Sequence, residues 1–504
     1  MSNTYVVPGS SNHLTLRVSA IFGILVVMLI FFWPHIHSAG LASLTKESFR
    51  PQNGLVTIPE SERPLDFAVI GLDVDSQNHF LLPNFKPNPA LSASRCQQVR
   101  EQLYWLNFEL CHGRILNAFP LQTKLYVALP DPKRVKDATG NEEKYFLDYV
   151  HLRCNWTEEQ IKDRIHFFKS PVPLTWAQDI GKILGRDEKG RWVIFRGPQD
   201  IPFYRQAVLD LCSAYPDQFA CRDLPSGISA EGGDEDLVRT PDGRQVFILG
   251  RHRALKLMNF PSTPSTAPGI NRDELLQDET AFSKAFDGLP VCLLPAGALV
   301  NPSLGNDELF HLDMTTAVVG MAREAQAFVP TYLANPVDRM SGQPLDVDFV
   351  KSVQVEFDLI SSELEDLGYK VQRLPFADHP VRSPANVVRF YDPEKGKCEV
   401  MLAKYPVHVN EGHSGEITPQ EELKQKLALL QTAAQTWQEQ PGDSQFQGLM
   451  DAFNKVWADM DDTDKEPNPL FDQWVKTFNK AGIDVIPVSD YAWGAGGLHC
   501  QVFR

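Results

Sequence analysis

The feature that most constrains the fold of this chain is an alternation of short apolar runs with helical stretches. Runs of strand length begin with DFAVIGLDV at 66–74 and TKLYVALPD at 123–131 and continue to the end of the sequence. Segments with helical spacing separate them. Interleaved strands and helices predict an α/β fold. Several units follow the order helix, strand, turn, strand, which favours repeated blades over a doubly wound sheet.

Some segments give sharper predictions. Residues 236–250, DLVRTPDGRQVFILG, predict a hairpin that turns at Pro-Asp-Gly. Residues 346–368 have apolar positions at helical spacing and end at a glycine, which predicts a long amphipathic helix. Strands are expected at 308–320 and 369–376, and a last strand is expected at 501–504. Two further helices are expected within 418–458, separated by Gln-Pro-Gly-Asp.

The domain organisation follows from changes in composition. A short polar segment, 1–17, precedes the uncharged apolar run 18–34, which is typical of a signal peptide or a transmembrane anchor. Its length favours the anchor, and either interpretation places the bulk of the chain outside the cytoplasm. Residues 35–65 are polar and Pro-rich, which indicates a linker. Residues 66–504 are then one domain, with a helical insertion at about 345–470.

Charge and cysteine content limit the partners. The net charge of −16 argues against a nucleic-acid partner, which needs a basic face, and is compatible with a cationic substrate. The sequence has no GxGxxG or P-loop, so nucleotide cofactors have no support. Eight cysteines form no CxxC, so a zinc ribbon is not supported. In an exported protein, Cys96 with Cys111 and Cys212 with Cys221 are plausible disulfide pairs.

Four motifs stand at predicted strand ends, where loops carry function. They are Trp176-Ala-Gln-Asp179-Ile-Gly181, Glu231-Gly-Gly-Asp234, His311-Leu-Asp313 and Gly496-Gly-Leu-His-Cys500. Each motif alone has an ordinary structural interpretation. Together they suit one task, because carboxylates bind a planar guanidinium group, a thiolate attacks its poor electrophilic carbon, and a histidine moves protons.

These motifs, in this order, resemble those of the pentein superfamily of guanidine-modifying enzymes, which includes agmatine, arginine and peptidylarginine deiminases and the amidinotransferases. WAQDIG is similar to the family's Trp-x-Arg-Asp-x-Gly, EGGD to its Glu-Gly-Gly segment, FHLDM to its His-x-Asp and GGLHCQV to its terminal Gly-Gly-x-His-Cys. The resemblance covers roughly 65–320 and 470–504. It implies a five-bladed ββαβ propeller with the site on its central axis.

The resemblance also implies roles for particular residues. Cys500 is expected to be the nucleophile and His311 the general acid and then base. Asp179 and Asp313 are expected to bind the guanidinium group, and Glu231 to hold His311 or to help bind substrate. The remaining substrate-binding positions that it implies are Trp176 and Gly497. The expected reaction is hydrolysis of a C–N bond of an amidine, without metal or cofactor, on free or peptidyl arginine.

Departures from the family pattern leave alternatives open. Gln178 stands in place of the usual Arg, and Asp234-Glu235-Asp236 is unusually acidic. An amidinotransferase on the same scaffold would share these motifs. A non-catalytic pentein that binds a partner should lack the Cys or the His, and this chain retains both. A papain-like protease fits poorly, since its Cys precedes its His. The acidic segment 459–466 could bind calcium, but it lacks the glycine and spacing of an EF-hand, which favours a solvated loop. The sequence does not indicate an oligomeric state.

Overall fold

The computed structural model describes most of the chain from residue 54 onward, within one compact unit, Pro51–Arg504. The described residues are 54–72, 92–112, 114–134, 140–171, 177–196, 202–223, 233, 235–250, 283, 288–294, 311–338, 343–405, 419–463, 468–490, 499, 502 and 504.

Short strands in these residues form five sheets of three or four strands and one two-stranded ribbon. In chain order the strands are β1 (Val56–Thr57), β2 (Phe67–Gly71), β3 (Lys124–Pro130), β4 (Ile165–Ser170), β5 (Gly181–Arg186), β6 (Trp192–Arg196), β7 (Phe219–Arg222), β8 (Glu235–Arg239), β9 (Gln245–Gly250), β10 (Val291–Leu294), β11 (Ala317–Val319), β12 (Gln326–Tyr332), β13 (Val337–Asp338), β14 (Gln343–Pro344), β15 (Lys370–Phe376), β16 (Val388–Asp392), β17 (Lys397–Lys404) and β18 (Asp484–Ser489).

The helices lie between the strands. They are α1 (Ala93–His112), α2 (Ile115–Ala118), α3 (Glu142–Arg153), α4 (Glu158–Arg164), α5 (Pro202–Ala214), α6 (Val347–Asp366), α7 (Pro419–Glu439), α8 (Asp443–Thr463) and α9 (Pro469–Lys480). The predicted α/β class is therefore confirmed, as are the long helix at 346–368 and the two helices within 418–458.

Four of the five larger sheets share one arrangement of strands. An antiparallel hairpin is followed by a third strand parallel to the second: β5–β6 with β7, β8–β9 with β10, β11–β12 with β15, and β16–β17 with β18. Parallel neighbours need a crossover connection, which helices α5, α6 and α9 provide before β7, β15 and β18. These three units have the order ββαβ. The fifth larger sheet, β2–β3–β4, is wholly parallel.

Three helices, α1, α7 and α8, form a separate packing unit, which we call the helical layer. Their buried side chains recur at intervals of three and four residues, the spacing that lets helices pack along a narrow seam. The buried residues are Cys96, Val99, Leu103, Leu106 and Leu110 in α1, Leu423, Leu427, Leu430, Ala434 and Trp437 in α7, and Leu449, Phe453, Val456 and Met460 in α8.

Only part of the segment predicted as a helical insertion, about 345–470, is helical. Its first part, 345–405, contains α6 and β15, which complete the sheet of β11 and β12, and the hairpin β16–β17, which begins the last sheet. Helices α7 and α8 lie between β17 and α9 in the chain, and α9 supplies the crossover to β18. The sequence prediction did not include the β16–β17 hairpin, and it therefore assigned these strands and helices α7 and α8 to one helical segment.

Part of the predicted linker, 35–65, also belongs to the folded unit. β1 pairs with β5, Val56 opposite Arg186, and a 3₁₀ helix at Glu60–Glu62 follows it. Leu55, Thr57, Glu60 and Ser61 are buried. The segment was assigned to the linker because it is polar and aperiodic, yet the polar side chains of Thr57, Glu60 and Ser61 are buried.

The remaining boundary predictions fall outside the described residues. The polar segment 1–17 and the apolar run 18–34 are among these, so their membrane assignment stays a prediction. Within the part of the chain that the structure describes, no helix is long and apolar enough to cross a membrane.

The two predicted disulfides are absent from the structure. Cys96 and Cys111 lie in the same helix, fifteen positions apart, and a rise of about 1.5 Å per residue separates them by about 22 Å, beyond disulfide reach. Cys212 and Cys221 are also not bonded to each other. Their thiols are neighbours, however, and the hydrogen bond from Cys212 lowers the pKa of Cys221 to about 6.

Candidate active site

His311 and Asp313 lie in a tight turn rather than in the strand predicted for 308–320. His311 has extended backbone, and Leu312–Met314 form a 3₁₀ turn in which the Met314 N–H donates to the His311 carbonyl at 3.2 Å. Strand β11 begins only at Ala317. Both side chains are buried, but the alternation of a strand does not set their directions.

The Glu-Gly-Gly segment meets the His-x-Asp turn at Gly233. The Asp313 N–H donates to the Gly233 carbonyl oxygen at 3.0 Å. A Cβ atom on Gly233 would lie 2.6 Å from Nδ1 of His311 and 3.1 Å from its Cγ, closer than nonbonded atoms approach. A glycine is thus required here for the backbone to pass against the His311 ring.

The C-terminal motif meets the same turn through His499. Its Nδ1 lies 2.9 Å from Oδ2 of Asp313, and its Nε2 lies 2.9 Å from Oε1 of Glu60. The His499 backbone N–H donates to Oδ1 of Asn386 at 2.6 Å. His499 is 1% exposed, so these polar contacts replace water for the ring.

Four basic side chains contact the carboxylate of Glu60. Its Oε2 lies 3.2 Å from Lys182 Nζ and 3.0 Å from Arg389 Nη2, while its Oε1 lies 2.9 Å from both His499 Nε2 and Arg504 Nη2. A charge this deeply buried is stable only when it is paired and hydrogen-bonded. We call Glu60, Lys182, Asp236, Asp313, Arg389, His499 and Arg504 the central cluster.

The first strand region of each repeated unit contributes to the central cluster. Lys182, Asp236 and Arg389 are each the second residue of the first strand of their unit, β5, β8 and β16. Asp313 comes from the turn that precedes β11, which is the first strand of the remaining unit. Equivalent positions of separate sheets thus converge on one buried point.

The charges of the central cluster determine which groups are ionised. Burial raises the pKa of Glu60, but Lys182, Arg389 and Arg504 outweigh it and hold that pKa well below its ordinary value. Burial, opposed by Arg389, raises the pKa of Asp236 to about 6. Arg389 Nη1 lies 2.7 Å from Asp236 Oδ2, so this arginine links the two carboxylates.

Other predicted site residues lie wholly or partly outside the described residues. Trp176, Glu231, Gly497 and Cys500 are not described. Asp179 lies in the 3₁₀ helix Ala177–Ile180, but its side chain is not described. The motif at 176–181 is nevertheless close to the central cluster in the chain, because β5 follows that helix directly and carries Lys182.

The predicted final strand, residues 501–504, is not formed at its described residues. Val502 donates its N–H to the His499 carbonyl at 3.2 Å, and the Arg504 carbonyl accepts from Arg63 Nη1 at 3.3 Å. The Arg504 side chain is buried against Glu60. The segment is held by a turn and by charged side chains rather than by a strand ladder.

The acidic segment considered for calcium is engaged by cations where it is described. Asp459 pairs with Lys426, and Asp461 pairs with Arg114 and Arg153. In the described parts of the chain, no group of three or more His, Cys, Asp and Glu side chains has the arrangement of a metal site.

Sequence reasoning missed Glu60, Lys182, Arg389, Asn386 and Arg504. A signal existed for two of them, since β5 (GKILGR) and β16 (VRFYD) each place one cation at the second position of an otherwise apolar strand start. Alignment of the first strands of the repeated units would have revealed this shared position. Glu60 gave no such signal, because it lies in a polar stretch.

Comparisons with known proteins give limited information. No protein-family model matches the sequence, and no curated protein does. Two solved structures are similar to it, both of the N-terminal domain of ArgZ, described as an arginine dihydrolase of the ornithine-ammonia cycle in cyanobacteria. One is bound to substrate and the other covalently to a reaction intermediate. They are 13% and 12% identical, cover 75% of this chain and 97% of theirs, and have TM-scores of 0.30, too low to assign a fold or an activity.

Proposed function

We propose that this protein is a guanidine-group hydrolase, a deiminase that converts an arginine-like substrate into a ureido product and ammonia. The observation that carries the proposal is the meeting of three distant motifs in one buried site. Gly233 contacts the His311–Asp313 turn, and Asp313 contacts His499, the residue before Cys500. These contacts support the proposal that residues of the three motifs act in one site.

The repeated sheets support a five-bladed propeller as the scaffold. Four units share the hairpin-plus-parallel-strand arrangement, and a residue from the start of each unit reaches the central cluster. A site built from equivalent positions of several repeats is expected where those repeats face a common axis. We propose that the sheet β2–β3–β4 completes the ring.

In the proposed reaction, the Cys500 thiolate attacks the central carbon of the guanidinium group and forms a C–S bond. The tetrahedral adduct then breaks one C–N bond, and His311 donates the proton with which the nitrogen leaves as ammonia. A thiouronium intermediate remains on Cys500. Water attacks its carbon while His311 accepts a proton, and cleavage of the C–S bond releases the ureido product and restores the thiolate.

Carboxylates give the site its proposed preference for a cation. Asp313 is 6% exposed, and its Oδ2 accepts from His499. We propose that Asp313, together with Asp179, binds the guanidinium nitrogens, and that Glu231 orients His311 through the segment that ends at Gly233. Trp176 and Gly497 are proposed to line the remaining substrate surface, and peptidyl arginine is a proposed substrate beside free arginine and agmatine.

The test uses the full chain and its Cys500→Ala variant, incubated with arginine, agmatine and an arginine-containing peptide. Ureido product and ammonia are measured together. Equal amounts of both from the wild type, and none from Cys500→Ala, are expected. Cys111→Ala, which removes a partly exposed thiol of α1, is the matched control and should keep wild-type activity. Absence of both products with all three compounds would contradict a deiminase and leave an amidinotransferase or a binding module.

A second test probes the contact between the motifs. Gly233→Ala places a Cβ atom within 2.6 Å of Nδ1 of His311, so the ring must move. We expect kcat to fall at least about tenfold, since small displacements of catalytic groups are costly, while the far-UV spectrum is unchanged. Gly448→Ala serves as control because Gly448 lies in helix α8 without a positive φ, and nothing is within 4 Å of the added atom. Equal kcat values for the two variants would contradict a catalytic position for His311.

A further inference from the structure

Glu60 stands apart from the residues that the motifs provide. It lies in the 3₁₀ helix Glu60–Glu62, before the first large strand, and the four motifs do not include it. Its carboxylate is 1% exposed and contacts both His499 and Arg504 through one oxygen. Those two residues flank Cys500 in the chain, one position before it and four positions after it.

The surroundings fix the position of this carboxylate. Lys182 and Arg389 bind its second oxygen, Oε2, from strands β5 and β16. The backbone beside it is held as well, since Ser61 Oγ donates to the Gly320 carbonyl at 3.0 Å and the Tyr391 N–H donates to the Arg63 carbonyl at 2.9 Å. Oε1 is thus presented to His499 and Arg504 from a rigid support.

The C-terminal segment depends on such side-chain contacts because its described residues form no strand. His499 is held on both ring nitrogens, by Glu60 at Nε2 and by Asp313 at Nδ1. An ionised carboxylate only accepts hydrogen bonds, so Nε2 of His499 donates to Glu60. Asp313 Oδ2 lies 2.9 Å from Nδ1, so two carboxyl groups hold the ring of the residue that precedes Cys500 in the sequence.

We propose that Glu60 is a positioning residue, which fixes the segment 499–504 through His499 and Arg504 and thereby sets the orientation and ionisation of Cys500. The proposal rests on the proposed function for its effect on turnover. It adds a site residue from the segment that the sequence assigned to a linker.

The experiment compares Glu60→Gln and Arg504→Gln with Glu62→Gln in the full chain. Glu62 is a matched control: it lies in the same 3₁₀ helix and pairs in bidentate fashion with Arg239, at 2.6 and 3.0 Å. Two quantities are measured. One is the rate of Cys500 alkylation by iodoacetamide from pH 5.5 to 10, followed by peptide mass spectrometry, and the other is kcat and KM with the guanidino compound that the wild type uses.

We expect Glu60→Gln and Arg504→Gln to lower kcat about tenfold or more with little change in KM, since a displaced nucleophile loses orientation. The pH profile of Cys500 alkylation should shift in both variants, a change that a loss of general stability does not produce. Glu62→Gln should leave kcat and the alkylation profile at wild-type values. Glu60→Gln and Arg504→Gln profiles that match that of Glu62→Gln would overturn the proposal.

Two further outcomes are also decisive. If Glu60→Gln shows no cooperative thermal unfolding, Arg504→Gln decides alone, because Glu60 then still balances Lys182 and Arg389. If the wild type turns over none of the compounds but the alkylation profile still shifts in the variants, the positioning role stands and the deiminase proposal fails. If the wild type turns over a compound but the alkylation profile of Arg504→Gln is unchanged, the deiminase proposal stands and the positioning role of Glu60 fails.

Discussion

The central cluster and the helical layer are both buried, yet they are held together by different forces. The central cluster combines seven charged or ionisable side chains, whereas the helical layer packs aliphatic and aromatic side chains at intervals of three and four. Apolar burial is non-directional and tolerates substitutions of similar volume, while buried ions require complete and directed pairing. The comparison indicates that the helical layer contributes stability, and that the central cluster exchanges some stability for a fixed geometry.

The largest effect is expected from Arg389→Gln. Arg389 joins Glu60 and Asp236 at 3.0 and 2.7 Å, and the substitution leaves both carboxylates without their shared cation. We expect the free energy of unfolding to fall by about 3–5 kcal/mol, as when one partner of a buried ion pair is removed. Urea unfolding measures this loss, and kcat per folded molecule should fall as well. Unfolding within about 1 kcal/mol of wild type would contradict a continuous ionic network.

Phe453→Ala tests the other side of the comparison. Phe453 is fully buried between the helices of the helical layer, so truncation leaves a cavity. We expect a loss of about 3–5 kcal/mol of unfolding free energy with kcat per folded molecule unchanged. Phe453→Leu, which keeps most of the volume, should lose less than about 1.5 kcal/mol. A fall in kcat at full folding would show that the helical layer takes part in the site.

Asp236→Asn should change how stability depends on pH. The pKa of Asp236 is raised to about 6 by burial, so its contribution to stability is complete at low pH and is lost as the pH rises through about 6. A two-unit shift corresponds to about 3 kcal/mol. The part of this shift between pH 4.5 and 6 is worth about 2 kcal/mol, so the unfolding free energy of the variant, relative to wild type, should rise by about that amount between pH 4.5 and 7.

Urea unfolding at half-unit pH steps measures the effect. The window from pH 4.5 to 7 is chosen because the stability contribution of Glu60 changes at lower pH. The pKa of Glu60 is lowered despite its burial, by Lys182, Arg389 and Arg504, so its contribution is present above its ordinary pKa and is lost only as the pH falls through that lowered pKa. A constant difference between the two proteins across the window would show that Asp236 does not titrate there.

The two regions also differ in how well the sequence predicted them. The helices of the helical layer follow from local spacing, as in Leu449, Phe453, Val456 and Met460, and residues 418–458 were correctly assigned to two helices. The α/β class and the β8–β9 hairpin follow from equally local patterns. Such patterns are readable because each side chain's environment is set by its own helix or strand.

The central cluster could be predicted only in part. His311 and Asp313 were identified by resemblance, but the 3₁₀ turn that holds them depends on a hydrogen bond to Gly233, far away in the sequence. The burial of Glu60 depends on cations from β5 and β16 and on the C-terminal segment. No local pattern encodes such partners, and polar residues near the N-terminus resemble a linker until those cations are placed around them.

The smallest effect is expected from Asp461→Asn, which separates exposed from buried ion pairs. Asp461 lies on α8 and contacts Arg153 at 2.9 Å and also Arg114, but its side chain is 43% exposed. Water screens such a pair, so we expect a loss of about 0.5–1 kcal/mol of unfolding free energy. Salt should reduce that loss further, because the Debye length falls to about 3 Å in 1 M salt. The loss from Arg389→Gln should change little in 1 M NaCl, since the central cluster is closed to solvent. Urea unfolding of both variants at low and high salt measures the contrast, and an equal salt response would mean that ions and water reach the central cluster.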